Sequence, residues 1–391
     1  MVENELYEAM EEQLRLTPTA FHRYKYNEVD WNARLTGIVG PRGVGKSTML
    51  LQYIIEHRAE GKHLYVSADD AYFAVHTLAD LAAEFVKDGG THLYIDEVHK
   101  YGSWSSELKQ IYDRHHDLKV TFTGSSVLDI TKGEADLSRR VVLEKMQGLS
   151  FREYLELFYG VKVPVFTLDD VIAHKVALPD IDHPLPYFRE YLAKGYYPFA
   201  KEGNFAARML QVVNQTVEVD IPQFADMRAS TARKLKQILV VVSGLAPFKP
   251  NAGNLAREIG VSKNNIADYL LYLEQAGMIG QLRDDTGGLA ALGKVEKVYV
   301  DNPSLMTVLA GGSPNLGNLR ETFFYNQMRV KNDIVSSRKS DFKISKYTFE
   351  IGGSKKGKKQ IADVPDGIVV RDDIEYGNNN VIPLWHFGLN Y

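Results

Sequence analysis

The 391-residue chain has no cysteine, no strong net charge and no long apolar run. Without cysteine it cannot form disulfides, thiolate nucleophiles or thiolate metal sites. Its 46 Lys and Arg residues nearly balance its 50 Asp and Glu residues, for a net charge of -4, so any nucleic-acid contact has to come from a local patch. The longest apolar stretch, around residues 238–242, is far shorter than the roughly 18 residues of a membrane span. The acidic start, MVENELYEAMEE, lacks the basic and apolar regions of a signal peptide, and a cytoplasmic protein outside membranes is expected.

A phosphate-binding loop is predicted at residues 40–48, whose sequence GPRGVGKST matches the pattern GxxxxGK[ST]. Apolar runs precede and follow it, as expected where a strand leads through a glycine loop into a helix. In that arrangement the loop N–H groups and the helix N-terminus face a phosphate chain, Lys46 reaches the β- and γ-phosphates, and Ser47 offers its hydroxyl to Mg²⁺. The predicted ATP-binding residues are Gly40, Pro41, Arg42, Gly43, Val44, Gly45, Lys46, Ser47 and Thr48.

A second motif, HLYIDE at residues 92–97, is an apolar strand that ends in two adjacent carboxylates. Asp96 is expected to hold Mg²⁺ through its water shell, and Glu97 to orient and deprotonate the water that attacks the γ-phosphate. A further strand, at residues 63–67, and a helix lie between the two motifs. This order predicts an α/β P-loop NTPase domain with a parallel five-stranded sheet, of the class that inserts an extra strand and carries a catalytic glutamate. It disfavours a P-loop kinase.

Two further catalytic candidates follow these motifs. A strand at residues 119–123 ends in Gly-Ser-Ser, where α/β sheets place their ligands. Ser125 is the candidate sensor of the γ-phosphate, although Gly-Ser-Ser is also a common turn. Arg140, or its neighbour Arg139, precedes a fifth apolar run at residues 141–143. Such an arginine completes a neighbouring active site by neutralising transition-state charge, or is an ordinary surface residue.

These motifs together resemble a bacterial and archaeal family of AAA-type ATPases, the AAA_14 plus DUF4143 arrangement. The resemblance rests on GPRGVGKS, LYIDEVHK, TFTGSS and LSRRVVLEKMQGLSFREYLEL. Arg139 stands where the family has glycine and Gly148 where it has proline, and Arg140 takes the place of the family's arginine. The resemblance implies an AAA/ASCE-type domain at residues 1–150. It also implies a helical lid at residues 151–228, a region whose own pattern is mostly helical.

A winged helix is predicted at residues 229–300. Two helical patterns flank a glycine-containing turn, Ser262 is placed to cap the second helix, and a strand follows. The second helix exposes Lys263, Asn264 and Asn265 but also Asp268 and Glu274, and so offers little cationic surface to DNA phosphates. Direct DNA contact and a protein-interaction module both stay open.

The last domain is predicted at residues 301–391. The family's C-terminal domain resembles restriction-endonuclease-type nucleases, whose metal site needs a helix carboxylate, an Asp at a strand end and a Glu-x-Lys on the next strand. Glu321 and Asp366 suit the first two roles, but Trp385 and Phe387 occupy the positions of the Glu and the Lys. We therefore expect an α/β restriction-endonuclease-like fold without nuclease activity. The basic turn at residues 355–359, with Lys355, Lys356, Lys358 and Lys359, is a phosphate clamp or a solvated loop.

The sequence as a whole predicts a Mg²⁺-dependent, ATP-binding ATPase of the AAA type that acts as an ATP-driven conformational switch. Its expected ligands are ATP or ADP and Mg²⁺. DNA, a protein partner and self-association into a homo-oligomer are the candidate interactions. The alternative is a nucleotide-gated regulatory or defence signalling protein that turns over little ATP and binds a protein partner.

Overall fold

The computed structural model describes residues 4–124, 137, 139–224, 227, 229–285, 294–357 and 359–391. The chain divides into two compact units, Met1–Gln147 and Gly148–Tyr391. None of the helices in the described ranges combines the length and apolar character that a bilayer crossing requires.

The N-terminal unit contains the predicted parallel five-stranded sheet. Its strands lie in the order β2-β3-β4-β1-β5, and every pairing is parallel. The third strand in sequence, β3, is therefore separated from β1 by β4. The bounds are Leu35–Val39 for β1, His63–Ser67 for β2, His92–Asp96 for β3, Lys119–Gly124 for β4 and Val142–Lys145 for β5.

Burial explains why these short apolar segments form strands. All five residues of β1 and of β3 are buried, as expected for strands covered on both faces in a parallel sheet. The strand β5 pairs only with β1 and is more exposed. The covering helices are α1 (Asn4–Leu16), α2 (Lys46–His57), α3 (Leu78–Lys87) and α4 (Trp104–Arg114), with short 3-10 turns at Tyr24–Asn27, Arg58–Glu60, Ala71–Ala74 and Val98–Lys100.

The C-terminal unit opens with a helical segment, as the sequence pattern predicts. Ser150 and Glu153 form a reciprocal capping box that starts its first helix. The helices are α5 (Phe151–Tyr159), α6 (Leu168–Ile172), α7 (Leu185–Glu190), α8 (Phe205–Gln215) and α9 (Ile221–Phe224), with π-helical turns at Tyr191–Gly195 and Thr216–Asp220 and a 3-10 turn at Pro198–Glu202.

Three helices and a hairpin follow. They are α10 (Ala229–Leu245), α11 (Ala252–Ile259), α12 (Lys263–Gln275), β6 (Ile279–Arg283) and β7 (Val295–Val300), the two strands being antiparallel. Gly260 ends α11 in the left-handed region with φ 68°, a conformation that glycine adopts without strain. Ser262 then caps α12 by accepting a hydrogen bond from the Asn264 N–H, as the sequence predicts.

A second five-stranded sheet completes the chain, in the order β12-β11-β10-β9-β8. The strands β8, β9 and β10 are antiparallel, whereas β10, β11 and β12 are parallel. Two helices precede the sheet, and short 3-10 segments lie at Lys359–Ile361 and Leu384–Leu389. The bounds are Pro303–Leu309 for α13, Leu316–Met328 for α14, Ile334–Ser336 for β8, Phe342–Ile344 for β9, Tyr347–Gly352 for β10, Gly367–Arg371 for β11 and Val381–Pro383 for β12.

The structure corrects the predicted position of Trp385 and Phe387. The sequence analysis placed them on a strand, but β12 ends at Pro383 and both residues lie in the buried 3-10 segment Leu384–Leu389. A strand at the sheet's edge leaves part of its surface open, whereas this segment buries all of its side chains by packing against α5 and α14. The helix α14 also contacts α7, since Phe323 packs edge-on against Phe188.

Candidate nucleotide-binding site

The loop between β1 and α2 has the conformation that its glycines permit. Gly43 and Gly45 have φ angles of 76° and 98°, in the left-handed region that side chains rarely adopt. At Gly40, a Cβ atom would overlap the carbonyl oxygen of Met146, so the loop starts at a close approach of two backbones. The helix α2 begins at Lys46 directly after Gly45.

Lys46 is buried inside this loop. Only 6% of the residue is exposed, and its Nζ donates to the carbonyl oxygens of Gly40 at 2.9 Å and Pro41 at 2.8 Å. Burial lowers the pKa of Lys46 to about 8, against the opposing effect of Glu97 and Asp96. Among the described residues, the ammonium is hydrogen-bonded to carbonyl oxygens and to no carboxylate. An anion in the loop would stabilise its charged form.

Arg23 supports the loop from outside the motif. It is buried and donates hydrogen bonds to the carbonyl oxygens of Val44 and, at 2.7 Å, Gln147. Arg23 was not predicted, because it lies directly before the 3-10 turn Tyr24–Asn27, well before the motif, and belongs to no recognisable pattern. Its contacts place a fixed positive charge beside the loop that the sequence predicts to hold phosphates.

Asp96 lies at the carboxyl end of β3 and is held by two hydroxyl groups. Tyr65 on β2 donates to Oδ2 at 2.8 Å, and Thr123 on β4 donates to Oδ1. The Thr123 hydroxyl also accepts from the Glu97 backbone N–H at 3.0 Å. The sequence analysis missed Tyr65 and Thr123, although a hydroxyl residue on each strand next to the carboxylate pair was the available signal.

Glu97 follows Asp96 in the left-handed region, with φ 51°. This turn of the backbone re-aims the side chain away from the strand, and the carboxylate lies 3.6 Å from Arg42 Nη1 in the phosphate-binding loop. Burial raises the pKa of Glu97, and Arg42 opposes that shift. A carboxylate with a raised pKa beside a phosphate-binding loop is a candidate general base.

The remaining predicted residues of this site divide into three groups. Ser47 and Thr48 lie in the first turn of α2 and are partly exposed, where their hydroxyls can reach a ligand. Ser125 lies outside the described residues. Arg140 is not free, because its guanidinium forms two hydrogen bonds with Asp113 on α4, at 2.9 and 3.2 Å.

The hydroxyl of Thr123 is expected to matter for metal use. Thr123→Val keeps the side chain's shape but removes the group that links Asp96 to the Glu97 N–H. Loss of such a supporting contact typically costs about 10- to 100-fold in metal affinity or activity. We expect ATP turnover to fall within that range and to require more Mg²⁺ for half-maximal rate, as measured by Mg²⁺ titration. Thr121→Val, on the same strand, is the control, and an equal loss there would refute a specific role of Thr123.

The two carboxylates predicted at nuclease-like positions, Glu321 and Asp366, have different surroundings. Glu321 on α14 accepts from Lys297 Nζ at 3.0 Å, and the same ammonium contacts Asp341 at 3.2 Å. Burial, and then the neighbouring Asp341, raises the pKa of Glu321. Asp366 instead lies directly before β11. Across the described ranges, no group of three or more Asp, Glu or His residues is arranged to hold a metal ion.

The basic turn at residues 355–359 is only partly available to a ligand. Lys355 is exposed, whereas Lys356 forms an ion pair with the buried carboxylate of Glu350. Lys358 and the side chain of Lys359 lie outside the described part of the chain. One of the four lysines is therefore neutralised inside the domain.

Comparison with known families agrees with the site's geometry. Residues 32–155 match the family AAA_14, an AAA domain. This stretch is similar to AAA-type P-loop domains. It contains the phosphate-binding loop, the paired carboxylates and all five strands of the first sheet. Residues 185–316 match a domain of unknown function, DUF8612, so the expected DUF4143 arrangement is not shown. No functionally curated protein shows significant similarity to the chain.

Solved structures similar to this chain include a Walker-type ATPase of Pyrococcus abyssi. That match has 14% identity and a TM-score of 0.44, and covers 76% of this chain and 99% of the other. The RuvB Holliday junction branch migration motor of Thermotoga maritima matches at 15% identity and TM-score 0.29, over 70% and 89% of the two chains. AMPPCP-bound DnaA from Aquifex aeolicus matches at 16% identity and TM-score 0.26, over 70% and 89%.

Proposed function

We propose that the chain binds ATP with Mg²⁺ at the AAA domain and hydrolyses it. The observation that carries this proposal is the electrostatic grouping of Lys46, Asp96 and Glu97. The two carboxylates act on the pKa of the buried ammonium, and Arg42 of the same loop lies 3.6 Å from Glu97. Their grouping at one edge of the sheet supports the roles that phosphoryl transfer requires, with Lys46 as the phosphate-binding lysine, Asp96 as the metal-binding carboxylate and Glu97 as the base.

Ser47 and Asp96 are the residues that would hold Mg²⁺. Hydroxyl and carboxylate oxygens are the donors that this ion prefers, and Asp96 is kept in place by the Tyr65 and Thr123 hydroxyls. When bound, the ion neutralises charge on the β- and γ-phosphate oxygens. Lys46 then holds the same phosphates from the loop side, and Glu97 accepts the proton of the attacking water.

Nucleotide binding is the first test of this proposal. A fluorescent ATP analogue should bind the wild-type chain, and bind more weakly when Mg²⁺ is removed with EDTA. The same analogue should bind Asp96→Asn protein with a reduced dependence on Mg²⁺. Equal binding by the wild type in Mg²⁺ and in EDTA would contradict the assignment of Asp96 and Ser47 as metal-binding residues.

We further propose that ATP turnover acts as a conformational switch, with helices 151–228 as a lid and helices α10 to α12 with the β6–β7 hairpin as a winged helix. Three helices followed by a hairpin support that interpretation. The helix α12 exposes Lys263, Asn264 and Asp268. This surface of mixed charge favours neither DNA nor protein as the partner. Stimulation of turnover by double-stranded DNA would support a nucleic-acid role, and its absence would direct the search to a protein partner.

A specific contact favours the alternative function, a nucleotide-gated regulator with slow turnover. Glu97 forms an ion pair with Arg42, so its carboxylate has to leave that pair before it can accept a proton. Slow turnover with tight ADP retention would favour the regulator, whereas fast turnover would favour the active ATPase. Both functions use the same site.

We also propose that Arg140 acts in the site of a neighbouring copy, which requires its release from Asp113. Arg140→Ala and Lys46→Met proteins should each hydrolyse ATP slowly, because the first lacks the arginine and the second lacks a functional phosphate site. An equimolar mixture should recover part of the activity, since the Lys46→Met copy supplies Arg140 to its neighbour. A mixture of Lys46→Met and Glu97→Gln proteins is the control without recovery. Failure of the first mixture to exceed this control would refute action between copies.

For the C-terminal domain we propose a nuclease-like fold without hydrolytic activity. The ammonium of Lys297 lies between Glu321 and Asp341 and so neutralises Glu321, the helix carboxylate that a nuclease would use for a metal ion. The matching test is incubation of the full chain with supercoiled DNA and Mg²⁺ or Mn²⁺. Intact DNA is the expected result.

A further inference from the structure

The C-terminal unit contains a cavity that none of the predicted functions uses. Its volume is about 340 Å³, and its walls come from two loops at residues 174–184 and 375–377. Trp385 and His386, from the buried 3-10 segment, also line it. Apolar residues of the first loop, including Leu178 and Ile181, cover one side. A cavity that combines apolar walls with a few polar groups is the usual form of a binding site.

Two ring nitrogens at this cavity have no hydrogen-bond partner within the described part of the chain, namely Trp385 Nε1 and His386 Nδ1. Both residues are more than nine-tenths buried, with 5% and 6% exposed. Burial lowers the pKa of His386 to about 3, so the imidazole is neutral and one of its nitrogens accepts hydrogen bonds. The indole N–H can only donate. A ligand that satisfies both groups needs an acceptor and a donor.

The rim of the cavity is acidic and carries an exposed aromatic ring. Asp182 lines the cavity and has no hydrogen bond or ion pair to any residue in the described ranges. Glu375 also lines it and pairs with His183 at 3.1 Å. The Tyr376 side chain is 80% exposed, which is unusual for so large a ring. Carboxylates beside aromatic faces favour an organic cation over an anion.

We propose that this cavity binds an arginine side chain presented by a protein partner. The guanidinium would lie against the Tyr376 ring and pair with the Asp182 carboxylate, a geometry to which its planar donors are suited. The aliphatic part of the side chain would contact Leu178 and Ile181. A neighbouring main-chain carbonyl of the partner would accept the Trp385 N–H, and a partner N–H would donate to His386.

Nucleic acid is disfavoured as the occupant because the rim's carboxylates repel phosphates. In addition to Asp182 and Glu375, the first loop carries Asp180. A polyamine shares the positive charge of arginine but has no acceptor for the Trp385 N–H. The Trp385 N–H therefore distinguishes a peptide, which has a carbonyl acceptor, from a polyamine. The proposal does not depend on the nucleotide site.

The test is an NMR titration of the indole N–H resonances of the full chain. The chain has three tryptophans, and Trp385→Phe assigns the resonance of Trp385 by its loss. The probes are acetyl-arginine methylamide, the uncharged acetyl-citrulline methylamide, and spermidine. We expect the arginine probe to shift the Trp385 resonance saturably, with a dissociation constant on the order of millimolar for so small a ligand. Citrulline and spermidine should leave that resonance nearly unchanged.

Variants of the rim separate a specific site from general attraction to negative charge. Asp182→Asn should weaken the arginine probe by about 10-fold through loss of a charge-assisted pair. Tyr376→Ala should weaken it by about 2- to 5-fold. Asp180→Asn, the matched control, removes the same charge from the same loop at a residue that does not line the cavity and should have little effect.

Three outcomes would overturn the proposal. The first is no saturable shift with the arginine probe, and the second is binding of citrulline as tightly as arginine. The third is an equal loss of affinity in Asp180→Asn and Asp182→Asn proteins, which would show attraction to charge without a site. A saturable shift of the Trp385 resonance by spermidine, equal to that of arginine, would overturn the choice of a protein partner in favour of a free polyamine.

Discussion

Glu97→Gln is expected to lower the rate of ATP hydrolysis by about 100- to 10,000-fold, the usual contribution of a general base. Glutamine has the same shape as glutamate but cannot accept the proton of the attacking water. The backbone at this position should be unchanged, because the hydrogen bond from the residue 97 N–H to Thr123 Oγ1 does not involve the side chain. Phosphate release at saturating ATP measures the effect.

Nucleotide binding separates this loss from misfolding. The variant should bind ATP at least as tightly as the wild type, because it removes a negative charge that lies near the phosphates. Glu12→Gln is the control, since Glu12 is an exposed residue of α1. If Glu97→Gln protein binds ATP and hydrolyses it at the wild-type rate, then Glu97 is not the base.

Lys46→Met should reduce ATP affinity by about 100-fold or more. Hydrogen bonds to charged groups contribute about 1.5–3 kcal/mol each, and a P-loop lysine bonds oxygens of two phosphates. Methionine fills much of the same volume, so the loss is one of charge. The substitution also removes the donor to the carbonyl oxygens of Gly40 and Pro41 and the positive charge that interacts with Asp96 and Glu97.

Titration with a fluorescent ATP analogue measures this affinity, and the thermal shift produced by ATP gives an independent measure. The wild type should be stabilised by ATP and Lys46→Met protein should not. Lys87→Met, at an exposed residue at the end of α3, is the matched control. If Lys46→Met protein bound ATP as tightly as the wild type, Lys46 would not be a phosphate-binding residue.

The first sheet could be predicted because each strand is a short apolar run with a clear end. The expected strand at residues 63–67 coincides with β2, and the one at residues 92–97 differs from β3 by one residue. The position of β4 between β1 and β3 was not predicted, because the strand expected between the two motifs is β2, which lies at the edge of the sheet. A strand that is buried on both faces is a continuous run of apolar residues, which can be recognised in the sequence alone.

The supporting contacts of the site could not be predicted in the same way. Tyr65 reaches Asp96 because β2 and β3 are paired in a register that aligns Ser67 with Asp96. Arg23 reaches Val44 across more than twenty residues of chain. Contacts of this kind depend on the register and on the path of loops, which apolar periodicity does not specify.

The surroundings of Glu321 in the C-terminal domain could not be predicted for a related reason. The family's pattern pointed to Glu321 and Asp366, whereas the structure shows that Lys297 joins Glu321 to Asp341. An isolated carboxylate before a strand is a weak signal, since any turn favours Asp. Lys297 lies on β7, and its role becomes visible only when the hairpin packs against α14.

The most direct test of the central claim is the release of inorganic phosphate from ATP by the purified wild-type chain. The measurement is made in Mg²⁺ and in EDTA, with Asp96→Asn protein purified in parallel to control for contaminating ATPases. The account predicts release that depends on Mg²⁺ and is strongly reduced in the variant. Release at the same rate by both proteins, or no release by the wild type under conditions in which it binds ATP, would contradict it.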